Sequence, residues 1–162
     1  EPLSLSPKRR TVIIFDYKSN INTSQWPVVI DIEDNFYFKS EAGKILASPA
    51  DETDSPPCDS QPEELDVALA IHRIENATNF KIKKVEHKWA GLRSFFPDRT
   101  PVVGEDPKRS GFYWLAGQGG YGIQTAPGIS KIIECLITGN NWPTYLDNLS
   151  IRPETLSPKR NI

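Results

Sequence analysis

The 162-residue sequence contains no methionine, two cysteines, two histidines and no long apolar run. Without Met it has no initiation codon of its own, and Glu1-Pro2-Leu3-Ser4 offers neither the charged nor the apolar region of a signal peptide. The expectation is an excised piece of a longer protein. No apolar stretch reaches the roughly 18 residues that a membrane-spanning helix needs, which excludes that class. Charge of one sign is also missing: 19 Lys+Arg face 21 Asp+Glu, a formal net charge of -2. Nucleic acid and anionic membranes call for a basic excess, so neither partner is expected, and the anticipated compartment is the cytoplasm. Cys58 lies in a polar Pro/Asp/Ser stretch and Cys135 in an apolar helical pattern, so reduced thiols are expected rather than a disulfide. His72 and His87 stand alone, without Cys or carboxylates at ligand spacing, and no metal site is expected.

What is present is a chain with 14 Pro, 10 Gly and 38% hydrophobic residues, fitting one ordinary domain or pieces of two with many stiff connections. Residues 1–10 are polar and read as a linker. Residues 11–15 and 27–32 are rich in β-branched side chains and read as strands; 36–38 and 44–47 follow across short polar turns, predicting an antiparallel meander. An acidic, Pro-rich loop covers 48–61. Ser60 with Glu63 forms a capping-box pattern, and Val67, Ala70, Ile71 and Ile74 fall on one face, predicting a helix over 62–76. Residues 81–89 read as a further strand, with Lys81, Lys83, Lys84 and Lys88 on a wet face. In the last third, 100–104 is a short strand and 111–117 an almost continuous apolar one, expected to be buried on both faces. Ile129, Ile132, Ile133, Leu136 and Ile137 mark a helix that starts near Tyr121 and ends at Gly139. Residues 140–162 read as a polar tail with single apolar anchors. The expected fold class is α+β, mostly antiparallel sheet with one covering helix, followed by a separate strand-loop-helix.

Two features carry chemistry. Four glycines lie within 117–122, directly before the last helix. Glycine lets backbone approach a ligand closely, and a helix start aims unpaired N–H groups and a positive dipole end at it. A phosphate or an electron-rich carbonyl edge suits such a loop; a purely structural turn suits the same residues. The second feature is Trp89-Ala90-Gly91-Leu92-Arg93-Ser94-Phe95-Phe96-Pro97-Asp98. An arginine in apolar company needs an anionic partner, and its fork matches a carboxylate bidentately. That partner is either a ligand or an internal acid, Asp98 or Asp106; an arginine snorkelling from its strand to solvent is the other structural reading.

In this order, and followed by Pro101-Val102-Val103-Gly104, Gly117-Gln118-Gly119-Gly120-Tyr121-Gly122 and Ala126-Pro127, the sequence resembles the C-terminal part of FAD-dependent amine oxidoreductases. This is the superfamily of D-amino-acid oxidase, glycine oxidase and sarcosine oxidase. Asp34-Asn35-Phe36-Tyr37-Phe38 with Gly43-Lys44-Ile45-Leu46 is similar to its substrate-domain hairpin, and Leu156-Ser157-Pro158-Lys159-Arg160 to its closing segment. The resemblance implies 11–90 as part of the substrate domain, 91–139 as the return into the FAD-binding domain, and 140–162 as the C-terminal tail. It implies that Arg93 grips the substrate carboxylate and that Tyr37 closes over the substrate. Gly91, Gly119, Gly120, Tyr121, Gly122, Ile123 and Gln124 would lie against the flavin, Gln124 within reach of flavin O2 or the carboxylate. Gln118 stands where several members have His, and no side chain is implied as catalytic acid or base. No Cys lies in 90–100, so the implied FAD is non-covalent.

The implied activity is oxidation of the amine of an amino acid or N-alkyl amino acid by hydride transfer to flavin. The family's Gly-x-Gly-x-x-Gly strand turn is not in this sequence, so FAD binding is expected only together with an N-terminal part of the same protein, and not to this piece alone. An exposed edge at 111–117 is expected to favour self-association. The rival readings are a non-enzymatic α+β binding or scaffold module, and a catalytically silent relative in which Arg93 pairs internally.

Overall fold

The computed structural model describes residues 3–17 and 22–160. The fold is α+β with antiparallel sheets, and the chain divides into two compact units. One comprises residues 8–92; the other comprises 93–160 with 3–7.

The larger unit is built on β1 (Ser6–Phe15), β2 (Val29–Ile30), β3 (Tyr37–Glu41), β4 (Lys44–Ser48) and β5 (Thr53–Asp54), in the order β2-β3-β4-β1-β5; β6 (Val85–Phe95) also pairs with β1. The hairpin register is fixed by Phe38↔Ala47 and Glu41↔Lys44, and β4 continues onto β1 through Ile13↔Ala47. Alternation turns Ile13, Phe15, Phe38, Ile45 and Ala47 inward. There α1 (Glu64–Ala77) covers them with Val67, Ala70 and Ile74. Phe80, just beyond α1, closes this core. Its ring lies 5.7 Å edge-on to Phe15, 5.4 Å edge-on to Phe38 and 4.5 Å from Tyr17. A fully buried Ile or Phe of this kind stabilises by roughly 1.5–3 kcal/mol.

Three boundaries differ from the sequence expectation, each because a long-range polar partner supplies what local composition does not. First, β1 begins at Ser6, so residues 6–10 are strand rather than linker. The buried Arg9 pairs with Asp66 (Nη2–Oδ2 2.9 Å) and Glu63 on or beside α1, and Lys8 reaches Asp54 at 2.7 Å. Thr11 donates its backbone N–H to Asp51 Oδ1 at 2.7 Å. Second, α1 starts at Glu64 with Glu63 as N-cap and no side-chain cap, so the Ser60–Glu63 capping box does not form; the Glu63 carboxylate is taken by Arg9. Third, residues 81–84 are not strand. Ile82 N–H is held by Glu75 Oε1 at 2.7 Å, and β6 instead runs from Val85 through Arg93 to Phe95.

The smaller unit holds the hairpin β7 (Val102–Glu105) and β8 (Tyr113–Ala116), paired through Val103↔Leu115 and Gly104↔Trp114. It also holds α2 (Gly122–Thr138), α3 (Thr144–Asn148) and α4 (Pro153–Leu156). Val103, Ile129, Ile132, Leu146 and Leu156 form its core. α2 ends as expected at Gly139, whose left-handed φ of 71° lets its N–H close on Cys135 O at 3.0 Å. The expectation for 111–117 is corrected: β8 is one strand of a two-stranded antiparallel sheet, not a strand buried on both faces. Leu115 stays 42% exposed and Phe112 44%, while Trp114 is half-buried, its Nε1 donating to Asp106 Oδ2 at 2.8 Å. Residues 140–160 carry two short helices, anchored through Leu146 and Leu156.

Candidate functional site

The end of β6 and the glycine-rich loop build one site within residues 93–160. Loop 117–121 folds back along Arg93-Ser94-Phe95-Phe96. Gly119 donates its N–H to Ser94 O at 3.1 Å. A Cβ at Gly117 would overlap the Phe96 ring, and one at Gly119 the Phe95 ring. A Cβ at Gly120 would stand 2.6 Å from Arg93 Nη1 and 3.0 Å from its Cζ. Gly119 also holds a φ of 55°, which other residues adopt at a cost. Packing within the chain accounts for three of the four glycines. Gly117 and Gly119 are glycine because two phenyl rings occupy the Cβ positions; Gly120 is glycine because a guanidinium lies on it.

Arg93 itself is half-buried. Both internal acids that the sequence offered it are otherwise engaged. Asp98 takes a two-point contact from Arg160 (Nε–Oδ2 2.7 Å, Nη2–Oδ1 3.2 Å), which holds its carboxyl below the usual carboxylate range. Asp106 accepts from Trp114 Nε1 first and from the Lys108 N–H, and is likewise lowered. Among the described residues no hydrogen bond or ion pair engages the Arg93 guanidinium, and none of its nitrogens is a sealed, unpartnered atom. It is a cation oriented by packing, with its donors open.

α2 starts beside it. Tyr121 N–H closes the turn on Gln118 O at 3.0 Å, and Thr125 returns both its N–H (3.0 Å) and its hydroxyl (2.7 Å) to Tyr121 O. The first turn of α2 contains no acidic residue, and no side chain caps its N-terminus. Tyr121 (62%) and Ile123 (96%) are exposed, as are Gly120 and Gln124. A helix start with open N–H groups and apolar side chains around it suits the electron-rich edge of a planar ligand.

The other expected site residues stand elsewhere. Tyr37 opens β3 in the larger unit, half-buried and paired in register with Ile30 and Ser48, with Arg10 Cζ 6.0 Å from its ring centroid. Gly91 lies exposed on β6 in that unit, and a Cβ there would meet nothing within 4 Å. His72 sits on α1 beside Asn76, and His87 on β6 at 5.4 Å from Trp89; neither belongs to a metal-holding cluster among the described residues. Cys58 is exposed and Cys135 buried, both free. No helix among the described residues is long and apolar enough to cross a membrane. Sequence reasoning did not find the rings of Phe95 and Phe96 as the floor of the glycine loop, although their adjacency to Arg93 was the available signal.

Residues 1–136 match the family described as DAO, FAD dependent oxidoreductase. An uncharacterized oxidoreductase, YurR of Bacillus subtilis, is 29% identical over 135 residues, covering 80% of this chain and 34% of that protein. The chain thus spans about a third of the length of that relative. Among solved structures, glycine oxidase from Geobacillus kaustophilus superposes with a TM-score of 0.73 over 99% of this chain and 40% of its own, at 19% identity. Iminodiacetate oxidase from Chelativorans sp. BNC1 gives a TM-score of 0.71 over 97% and 40%, at 16% identity. Both likenesses concern the fold.

Proposed function

The chain belongs to the family of FAD-dependent oxidoreductases, and from that premise we propose that it is the C-terminal, carboxylate-gripping part of an enzyme oxidising the amine of an amino acid or N-alkyl amino acid. One observation carries the reading: the Arg93 guanidinium, laid on Gly120 and engaged by no acid among the described residues. An oriented guanidinium with open donors binds a carboxylate through two parallel charge-assisted hydrogen bonds. Glycine and iminodiacetate, named in the titles of the two structural neighbours, are both carboxylate-bearing amines. The same observation weighs against the silent relative, whose Arg93 would be neutralised internally.

The residues present fit a flavin edge. Gly120 and Gly122 add no side chain, Tyr121 and Ile123 offer uncovered apolar surface, and the α2 start brings N–H groups without a competing carboxylate. When bound, FAD supplies the hydride acceptor; the protein's share is positioning and electrostatics. Arg93 fixes the carboxylate and so the direction in which the amine-bearing carbon points. Gly120, Gly122, Ile123 and Gln124 would meet the ring edge with backbone donors, Gln124 adding a side-chain amide, while the Gly119 and Tyr121 N–H groups are spent on Ser94 O and Gln118 O. Residues 90–100 offer no cysteine for a thioether link, so the reading takes the FAD as non-covalent and held jointly with the rest of the protein.

The test is spectroscopic. The full-length protein should purify with the visible absorbance of a flavin, and titration with an inert carboxylate such as acetate should perturb those bands. The perturbation should vanish in Arg93→Ala with flavin retained. Purification without flavin, or a carboxylate response that survives Arg93→Ala, overturns the reading.

A further inference from the structure

Arg160, 67 positions along the chain from Arg93, spends two of its three guanidinium nitrogens on one turn. Its Nε and Nη2 grip Asp98, Nη2 also donates to Thr100 O at 2.6 Å, and Nη1 donates to Ser157 O at 3.1 Å. The side chain is only 12% exposed. Fastening the end of the chain does not require this. Leu156 is already in the core of its unit, and Pro158 is buried with Cδ 3.0 Å from the position a Cβ would take on Gly104. What the guanidinium holds is the turn 96–100.

That turn is under tension. Arg99 adopts a left-handed φ of 58°, a conformation that a long side chain takes only when its surroundings impose it. The turn is closed by Arg99 N–H to Phe96 O (2.9 Å) and Thr100 N–H to Asp98 Oδ1 (3.0 Å), so the same carboxylate is shared between the turn and Arg160. Phe95 and Phe96 enter this turn directly. Their rings are the surfaces on which Gly119 and Gly117 lie, Arg99 Cζ sits 4.4 Å from the centroid of one, and Arg160 Cζ sits 5.9 Å from the centroid of the other. A shift of either ring moves the loop, and with it Gly120 on Arg93.

We propose that Arg160 is a positioning residue for the Arg93 site: by clamping Asp98 and Thr100 it holds Phe95 and Phe96 where the loop 117–120 and the Arg93 guanidinium require them. The proposal rests on the function proposed above for Arg93. A misplacement on the order of 1 Å at a binding group is enough to weaken its contact severely.

The experiment uses the FAD-loaded full-length protein and three variants. Arg160→Ala should raise KM for a carboxylate-bearing amine about tenfold, while kcat changes by less than about twofold. Hydrogen exchange at the Gly119 amide, whose bond to Ser94 O depends on the same alignment, should accelerate about tenfold without any substrate present. Arg160→Lys should recover part of both effects. Leu156→Ala, which loosens the same segment from the core without touching the turn, should lower the melting temperature and leave KM and Gly119 exchange alone. If Arg160→Ala raises KM no more than Leu156→Ala does, or leaves Gly119 exchange unchanged, Arg160 only fastens the chain end and the proposal is wrong. Should Arg160→Ala fail to fold, Asp98→Asn keeps the shape and removes the charge; it should show both effects more weakly, and the absence of both overturns the proposal. Arg93→Ala in the same assay keeps the two readings apart. If it leaves KM unchanged the carboxylate role fails, and Gly119 exchange still decides whether Arg160 positions the loop.

Discussion

Replacing Arg93 by Ala separates a binding arginine from a structural one. Arg93 is engaged by no acid among the described residues, so its removal strands no buried carboxylate. The folded state should lose only the packing of a half-buried stem, about 1 kcal/mol or less. The loss at the site is larger. A bidentate, charge-assisted contact to a carboxylate is worth on the order of 3 kcal/mol, so kcat/KM should fall about 10²-fold or more. The assay compares two substrates on the FAD-loaded full-length protein: an amino acid, and the amine that remains when its carboxylate is removed. Only the first should respond to Arg93→Ala, and Arg93→Lys should recover part, since an ammonium cannot make the fork contact. Chemical denaturation of the same variants supplies the stability half. Equal losses on both substrates, or a strongly destabilised variant whose carboxylate kinetics survive, would refute the assignment and leave Arg93 a structural residue.

Other substitutions test the scaffold. Asp66→Ala leaves Arg9 buried with Glu63 as its remaining close acid, and should cost about 3–5 kcal/mol in a urea titration, several times the cost of Arg93→Ala. Gly119→Ala places a methyl in the Phe95 ring at a φ of 55° and should destabilise by about 1–3 kcal/mol. Gly128→Ala meets nothing within 4 Å inside α2 and should instead stabilise by about 0.5–1 kcal/mol, read as a higher Tm. Asp98 is held below its ordinary value chiefly by Arg160, so its contribution is fully present above about pH 4 and fades as pH falls through its lowered folded value. Because Asp98 is about a third exposed, Asp98→Asn should flatten the acid limb of the stability profile by about 1 kcal/mol at most.

The parts of the fold that are legible in the sequence are those whose cause is local. The meander over residues 29–48 follows from alternation and two short turns, and the inward face of α1 from the spacing of Val67, Ala70 and Ile74. The end of α2 follows from one glycine after an apolar stripe. The misread boundaries share the opposite property. Ser6–Arg10 looks like linker because its charges are visible and their partners are not: Asp54, Glu63 and Asp66 lie 46 to 57 positions away. Residues 81–84 alternate like a strand, yet Glu75 pins Ile82 beside the helix end. Residues 111–117 are apolar enough for a buried strand, but apolarity does not count sheet neighbours, and β8 has β7 as its partner in a two-stranded sheet.

The same limit governs the site. Arg9 and Arg93 both lie on strands that run into apolar residues, and nothing within ten positions of either says which is neutralised. In the fold, the two acids that the sequence offered Arg93 serve other donors, Asp98 for Arg160 and Asp106 for Trp114, while Arg9 is met by acids far along the chain. A buried guanidinium already paired contributes stability and has no donor left for a ligand. One that is oriented by packing alone keeps its fork for whatever carboxylate arrives. Local sequence places an arginine in an apolar strand; only the long-range pairing of every neighbouring acid decides whether that arginine is scaffold or site.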